Sequence, residues 1–401
     1  MSSLSTTLIH HPYEAPQGFE APQHAVHKAS TVFFPTVAAM RSREWKDKTA
    51  YTYGLHGTPT TYALEERLCT LEGGAQCVLV PSGLAAVALV ALAVLKTGDE
   101  VLIPDNAYGP NKTLAEGELL AWGISHRYYN AMDPTDLAAK LSPATRLVWV
   151  EAAGSVTLEF PDLQALVRLA KAHGALVALD NTWGAGIAFK PFDLEPGAPQ
   201  ALAVDISAHA LTKYPSGGGD VLMGSVITRN ADLHMQIKLC HMRLGLSVGA
   251  NDAEMVLRSL PSMVLRYRAH DEATRALAFW AQTQPAFVQV LHPALPDSPG
   301  HGFWKALCDR PDGGAACLFS VVLAPHFSQN QVDAFCDALQ LFRLGYSWAG
   351  PVSLVVPYNL RSMRAQWPAE IAQGTIVRFA VGLEAVSDLQ ADVAQALQAM
   401  R

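Results

Sequence analysis

Short-range cysteine pairs are missing from this chain. Cys69, Cys77, Cys240, Cys308, Cys317 and Cys336 form no CxxC and no zinc-type spacing. A zinc finger or dithiol centre is therefore not written in the sequence, and reduced, mostly buried thiols of a cytoplasmic protein are expected. Charge is also scarce: 16% of the 401 residues are Asp, Glu, Lys or Arg, against about 25% in a typical soluble domain. Lys and Arg number 29 against 36 Asp and Glu, a formal net charge of −7 with no basic run. Nucleic-acid binding needs clustered positive charge, so no nucleic acid is expected as a partner. The longest apolar run, Leu84 to Leu95, is twelve residues, whereas a membrane span needs about twenty. It reads as a buried helix, and no membrane association is expected. The opening MSSLSTTLIHHPY lacks the basic and apolar segments of a secretory signal. With 50% hydrophobic residues, disorder is excluded. So lightly charged a chain is expected to hide surface in subunit contacts.

What is present is an alternation of strands and helices. CVLV (77–80), VLIP (101–104), ISHRYY (124–129), LVWVE (147–151), ALVALD (175–180), VDIS (204–207) and VLMGSVIT (221–228) are short apolar runs. Helical stretches separate several of them, including 84–95, 110–121 and 162–173. Val-, Leu- and Ile-rich strands joined by helices predict a mainly parallel sheet covered on both faces. After about residue 250 the pattern changes. A long helix is predicted over 261–282, strands at 318–324 and 375–382, and helices around QVDAFCDALQ and DLQADVAQALQAM. The reading is an N-terminal arm (1–55), an α/β domain (56–250) and a smaller C-terminal α+β domain (251–401).

Ligands of open parallel sheets gather beyond the carboxyl ends of the strands. Ser82-Gly83-Leu84 lies where a strand meets a helix N-terminus, so its free N–H groups can cradle a phosphate. The same turn serves many junctions for geometry alone, and its meaning depends on its company. Asp180 closes ALVALD; a carboxylate there is either a turn cap or a group kept ionised by a cation such as a protonated pyridine. Lys213, in HALTKYPSGGGD, is either a surface lysine or a Schiff-base lysine held among apolar and hydroxyl neighbours. Anion cradle, strand-end Asp and downstream Lys are together the parts that pyridoxal 5'-phosphate requires. His24 and His27, or His10 and His11, fall in the irregular lead-in without a carboxylate cluster, so no metal site is expected.

YGLHGTPTTYALEERLCTLEGGAQCVLVPSGLAAV, NAYGPN, EAAGSVTLEF, LDNTWGAGIAFKPFDLEPGA, TKY followed by GGGD, LHPALPDSPGHGFWK, YSWAGPVSL and GTIVRFAVGLE form an ordered series along nearly the whole chain. With it the chain resembles the Cys/Met-metabolism family of pyridoxal-phosphate enzymes, and within that family the bacterial cystathionine β-lyases. The resemblance implies aminotransferase fold type I. It implies that Lys213 holds the cofactor aldehyde and shuttles protons, that Asp180 pairs with the ring nitrogen, and that Tyr108 stacks on the ring. Gly83, Leu84 and Thr212 would hold the phosphate, joined by Tyr53 from a neighbouring subunit. Arg378 would clamp the substrate α-carboxylate, with Ser347, Trp348 and His56 also facing substrate. A homotetramer, built as a dimer of dimers, is implied as well.

The implied activity is carbon–sulfur β-elimination within methionine metabolism. Cystathionine, or a related cysteine thioether, would give a thiol, pyruvate and ammonia. The alternatives are a γ-lyase, a γ-synthase or a broad cysteine-conjugate lyase of the same family and, outside enzymes, a Rossmann-like binding protein. Pro110 stands where a methionine γ-lyase carries cysteine, and Ser347-Trp348 disfavours γ-chemistry. The chain departs from the family at Leu55 and His56, where arginines are usual, at Ala210 (usually Ser) and at Gly218-Gly219 (usually Gly-His). A missing cationic phosphate contact and a smaller or less polar substrate are the expected consequences.

Overall fold

Strand β4 (Thr145–Glu151) shows how the apolar runs are used. Val148 and Val150 enter one core cluster, while Leu147 and Trp149 enter the cluster on the opposite face. Side chains of a strand alternate in direction, so a run apolar at every position is dictated by a sheet buried on both faces. The computed structural model describes residues 21–42 and 48–400 together with positions 6, 9 and 18; His10 and His11 lie outside the described residues. The large sheet adds β1 (Gln76–Val80), β2 (Glu100–Pro104), β3 (Ser125–Tyr129), β5 (Leu176–Asp180), β6 (Ile206–Ala210) and β7 (Gly224–Thr228), in the order β1-β7-β6-β5-β4-β2-β3. Only β7 runs against the others, paired antiparallel with both β1 and β6. The mainly parallel sheet expected from the sequence is thus observed, with one reversal that periodicity does not encode.

Helices close both faces. Helix Gly83–Val94 is capped by Ser82, whose Oγ accepts the Ala85 N–H at 3.0 Å. Helix Leu163–His173 starts at an Asp162 cap and stops at Gly174, which takes a left-handed φ of 86°. The stretch expected as one helix over 110–121 is a short α-helix, Gly109–Leu114, continued as a π-turn, Ala115–Leu119. Helix Ala250–Ser259 still packs on the large core through Ala253, Val256 and Leu257.

The second sheet contains β8 (Phe287–Leu291), β9 (Leu318–Leu323), β10 (Arg343–Leu344), β11 (Leu354–Tyr358) and β12 (Ile376–Ala380), ordered β10-β11-β12-β9-β8. Helices Met263–Ala281, Gln329–Ala338 and Val386–Ala396 pack against it. Phe319 stacks on Phe379 at 4.9 Å between ring centres. All six cysteines are free, and only Cys240 is not fully buried. Among the described residues no helix is long and apolar enough to cross a membrane.

Candidate active site

The carboxyl ends of β4, β5 and β6 meet at one place. Glu151 and Asp180 close β4 and β5 and are register partners. Asp180 Oδ1 accepts the Thr182 N–H at 3.0 Å. Burial raises the Asp180 carboxyl above its ordinary range, opposed by the Thr182 hydrogen bonds and by the fields of His209 and Lys213. Burial and then the facing Asp180 push Glu151 up to about 8. The buried Glu151 carboxyl beside the half-buried Asp180 creates a demand for a cation on the open side of Asp180.

Lys213 follows β6 by three residues. Its Nζ donates to Ser347 Oγ at 2.9 Å and lies 5.3 Å from the centre of the Trp348 ring. Trp348 is itself propped edge-on by buried Tyr214 at 5.6 Å, whose hydroxyl accepts the Cys317 N–H at 2.8 Å. Burial, then the nearby Arg378, lowers the Lys213 amine to about 8. An amine so placed is easily deprotonated, as a covalent or proton-transferring lysine must be.

Arg378 stands in the middle of β12, buried in an otherwise apolar strand. Its Nη2 donates to the Tyr346 carbonyl at 3.1 Å, and its guanidinium lies 5.4 Å from the Tyr358 ring centre. Its Nε is buried without a partner, and no acidic side chain among the described residues pairs with it. A buried guanidinium in that condition has N–H groups free to receive a carboxylate.

At the third side, helix Gly83–Val94 points its N-terminus at the end of β6. A Cβ on Gly83 would stand 2.5 Å from the Ala210 Cβ, and one on Gly224 would stand 2.4 Å from the Ser82 carbonyl oxygen. Both positions therefore need glycine for backbone to approach backbone. Ser82 caps Ala85 and Ala86, and the N–H groups of Gly83 and Leu84 meet no acceptor among the described residues. They form an anion cradle at a helix start. Thr212, adjoining Lys213, has its hydroxyl 3.3 Å from both the N and O of Met223.

Tyr108 precedes helix Gly109–Leu114, half-exposed, and its backbone N–H donates to Glu151 Oε2 at 2.8 Å. Burial, then the nearby Asp180 carboxylate, raises its phenol, so it stays protonated near neutrality. Lys213, Asp180, Tyr108, Ser347, Trp348 and Arg378 are thus assembled by one chain. Tyr53 and His56 are not brought to them. They sit on a loop with their rings 6.1 Å apart, Tyr53 48% exposed, beside a crevice lined by Leu55, Lys238 and His241. Sequence reasoning gave no role to Glu151, although it closes its strand as Asp180 does; that shared position was the available signal. Tyr358 carries no local motif, and Tyr214, although it closes the TKY motif, was given no role; both emerge only from packing.

These parts fit pyridoxal phosphate on structural grounds: an open anion cradle, a carboxylate lacking a close cation, an amine lowered by burial, and an unpaired guanidinium. A sequence model of the Cys/Met metabolism PLP-dependent enzymes matches residues 5–398. The chain belongs to this family. Members related to it include a putative cystathionine beta-lyase of Rhizobium johnstonii, 40% identical over 98% of this chain and 95% of that one. A cystathionine beta-lyase of Bordetella avium is 36% identical over 92% and 90%. Among solved structures, a cystathionine gamma synthase of Xanthomonas oryzae pv. oryzae in complex with cystathionine superposes with a TM-score of 0.83. It is 31% identical, covering 96% of this chain and 95% of that one. Family membership establishes pyridoxal-phosphate dependence and the fold type expected from the sequence. Among the described residues no cluster of three or more His, Cys, Asp or Glu could hold a metal.

Proposed function

We propose that this chain is a carbon–sulfur β-lyase acting on cystathionine or a related cysteine thioether. The observation that carries the reading is the 2.9 Å contact of Lys213 Nζ with Ser347 Oγ below Trp348. The Ser-Trp pair that distinguishes the β-lyases in sequence lies against the reactive amine rather than elsewhere in the fold.

Asp180 would hold the ring nitrogen, Tyr108 the ring face, and the Gly83 and Leu84 N–H groups with Thr212 the phosphate. The bound pyridinium supplies a sink for the electron pair left at Cα. Arg378 fixes the α-carboxylate through its unpaired N–H groups, which sets the Cα–H bond toward Lys213. Lys213 takes that proton and returns one to the departing sulfur. The protonated Tyr108 phenol is the poorer base. Tyr53 would reach the phosphate of a neighbouring subunit and His56 its substrate, within a homotetramer. Leu55 leaves that approach without the usual arginine.

Incubation with cystathionine tests the reading. Pyruvate and homocysteine are expected in equal amounts; 2-oxobutyrate and cysteine would move the assignment to γ-elimination.

A further inference from the structure

Glu151 has no part in the scheme above, yet it is the most constrained carboxyl of the site. It is 8% exposed. Its Oε2 accepts the Tyr108 N–H at 2.8 Å, and the Ser155 hydroxyl donates to Oε1 at 2.8 Å. No lysine, arginine or histidine among the described residues pairs with it. Asp180 faces it from the neighbouring strand in register, and the other titratable groups around it are the phenols of Tyr108 and Tyr129. Two anions cannot share such a pocket at low cost, so the pair is driven to hold one proton.

Asp180 has the better claim to remain charged. It accepts from Thr182 and faces Lys213 and His209, whereas only neutral donors reach Glu151. Resting on the pyridoxal-phosphate reading, we propose that Glu151 is a positioning residue that keeps the proton of the pair. It suspends the Tyr108 backbone beside the cofactor ring while leaving Asp180 the single anion opposite the ring nitrogen. With the proton on Oε1, the Ser155 hydroxyl accepts instead of donating. An amide makes the same two contacts, which turns the proposal into an isostere test.

The experiment compares wild type, Glu151→Gln and Glu151→Ala, each purified, stripped and reloaded with pyridoxal phosphate. The readouts are cofactor affinity, the pH transition of the bound cofactor's absorbance, and melting of the stripped chain. Glu151→Gln is expected to bind the cofactor within about twofold of wild type and to keep the transition within about 0.3 pH unit. Those margins lie well inside the tenfold that 1.4 kcal/mol represents. Glu151→Ala leaves the Tyr108 N–H without its acceptor and is expected to weaken cofactor binding on the order of tenfold. Its stripped chain should still melt as a folded protein, separating this loss from unfolding. A Glu151→Gln protein that loses affinity as Glu151→Ala does, or whose transition moves by about a full unit, overturns the inference, because the negative charge was then in use. Wild type that takes up no pyridoxal phosphate overturns the underlying reading, and the inference with it.

Discussion

Arg364 and Arg378 are equally withdrawn from solvent, each 8% exposed, and their surroundings are opposite. Arg364 reaches from the loop after β11 into the large domain. There Nη1 meets Glu159 Oε2 and Nη2 meets Asp105 Oδ2, both at 2.6 Å. Glu159 is fastened in turn by Asn106 and Thr157. Arg378, on β12, has one carbonyl, one aromatic face and a buried Nε with nothing to bind. The same costly side chain is therefore completed by the fold in one place and left incomplete in the other. Completion marks a structural tie, while the unfinished guanidinium keeps hydrogen-bonding capacity that the fold does not use.

The largest effect belongs to the amine on the unfinished side. Lys213→Ala should abolish the visible absorbance of the holoenzyme and lower pyruvate release by about 10²–10⁴-fold or more; a variant that keeps both would remove Lys213 from the chemistry. On the completed side, Arg364→Leu strands Glu159 and Asp105. It should destabilise the chain by ~3–5 kcal/mol, read by denaturant unfolding, and unchanged stability would deny the tie. Phe379→Ala empties a fully buried site facing Phe319 and should cost about 3–5 kcal/mol by the same measurement.

A smaller effect appears as a pH dependence. Burial lowers the Lys213 amine from 10.5 to about 8. Between those values the unfolded chain binds a proton that the folded chain does not, so stability of the cofactor-free protein rises with pH across that window. Lys213→Met should therefore melt above the cofactor-free wild type at pH 7. The gap should close as pH climbs from about 8 toward 10.5, and a gap independent of pH would contradict the assignment.

Much of the large domain was legible because a sheet buried on both faces writes its strands as apolar runs; β2, β4 and β5 end within a residue or so of the expected positions. The reversal of β7 was not legible, since a run apolar at every position reads the same in either sense, and it came only with the pairing. Helix Ala231–Leu244 was missed because buried His234, Lys238 and His241 interrupt its apolar stripe. Strand β11 was hidden by Pro357, which argues against a central strand. It is tolerated because β10 pairs only with Leu354 and Val355, leaving that edge of Pro357 open. Lys213, Asp180 and Arg378 could be picked from their motifs. The partners that define their chemistry come from other elements of the chain, as with Lys213 and Ser347, 134 residues apart, and no local pattern carries that information.

The decisive measurement sets Arg378→Leu beside Arg364→Leu, recording unfolding free energy and pyruvate release from cystathionine for both. For Arg378→Leu that contrast predicts stability equal to or above wild type, since a buried charge without a counter-ion is replaced by an apolar side chain. It predicts kcat/KM lower by about 10²–10³-fold, the loss of a desolvated carboxylate contact of ~3–4 kcal/mol. An Arg378→Leu protein that unfolds as readily as Arg364→Leu, or that releases pyruvate at the wild-type rate, would contradict it.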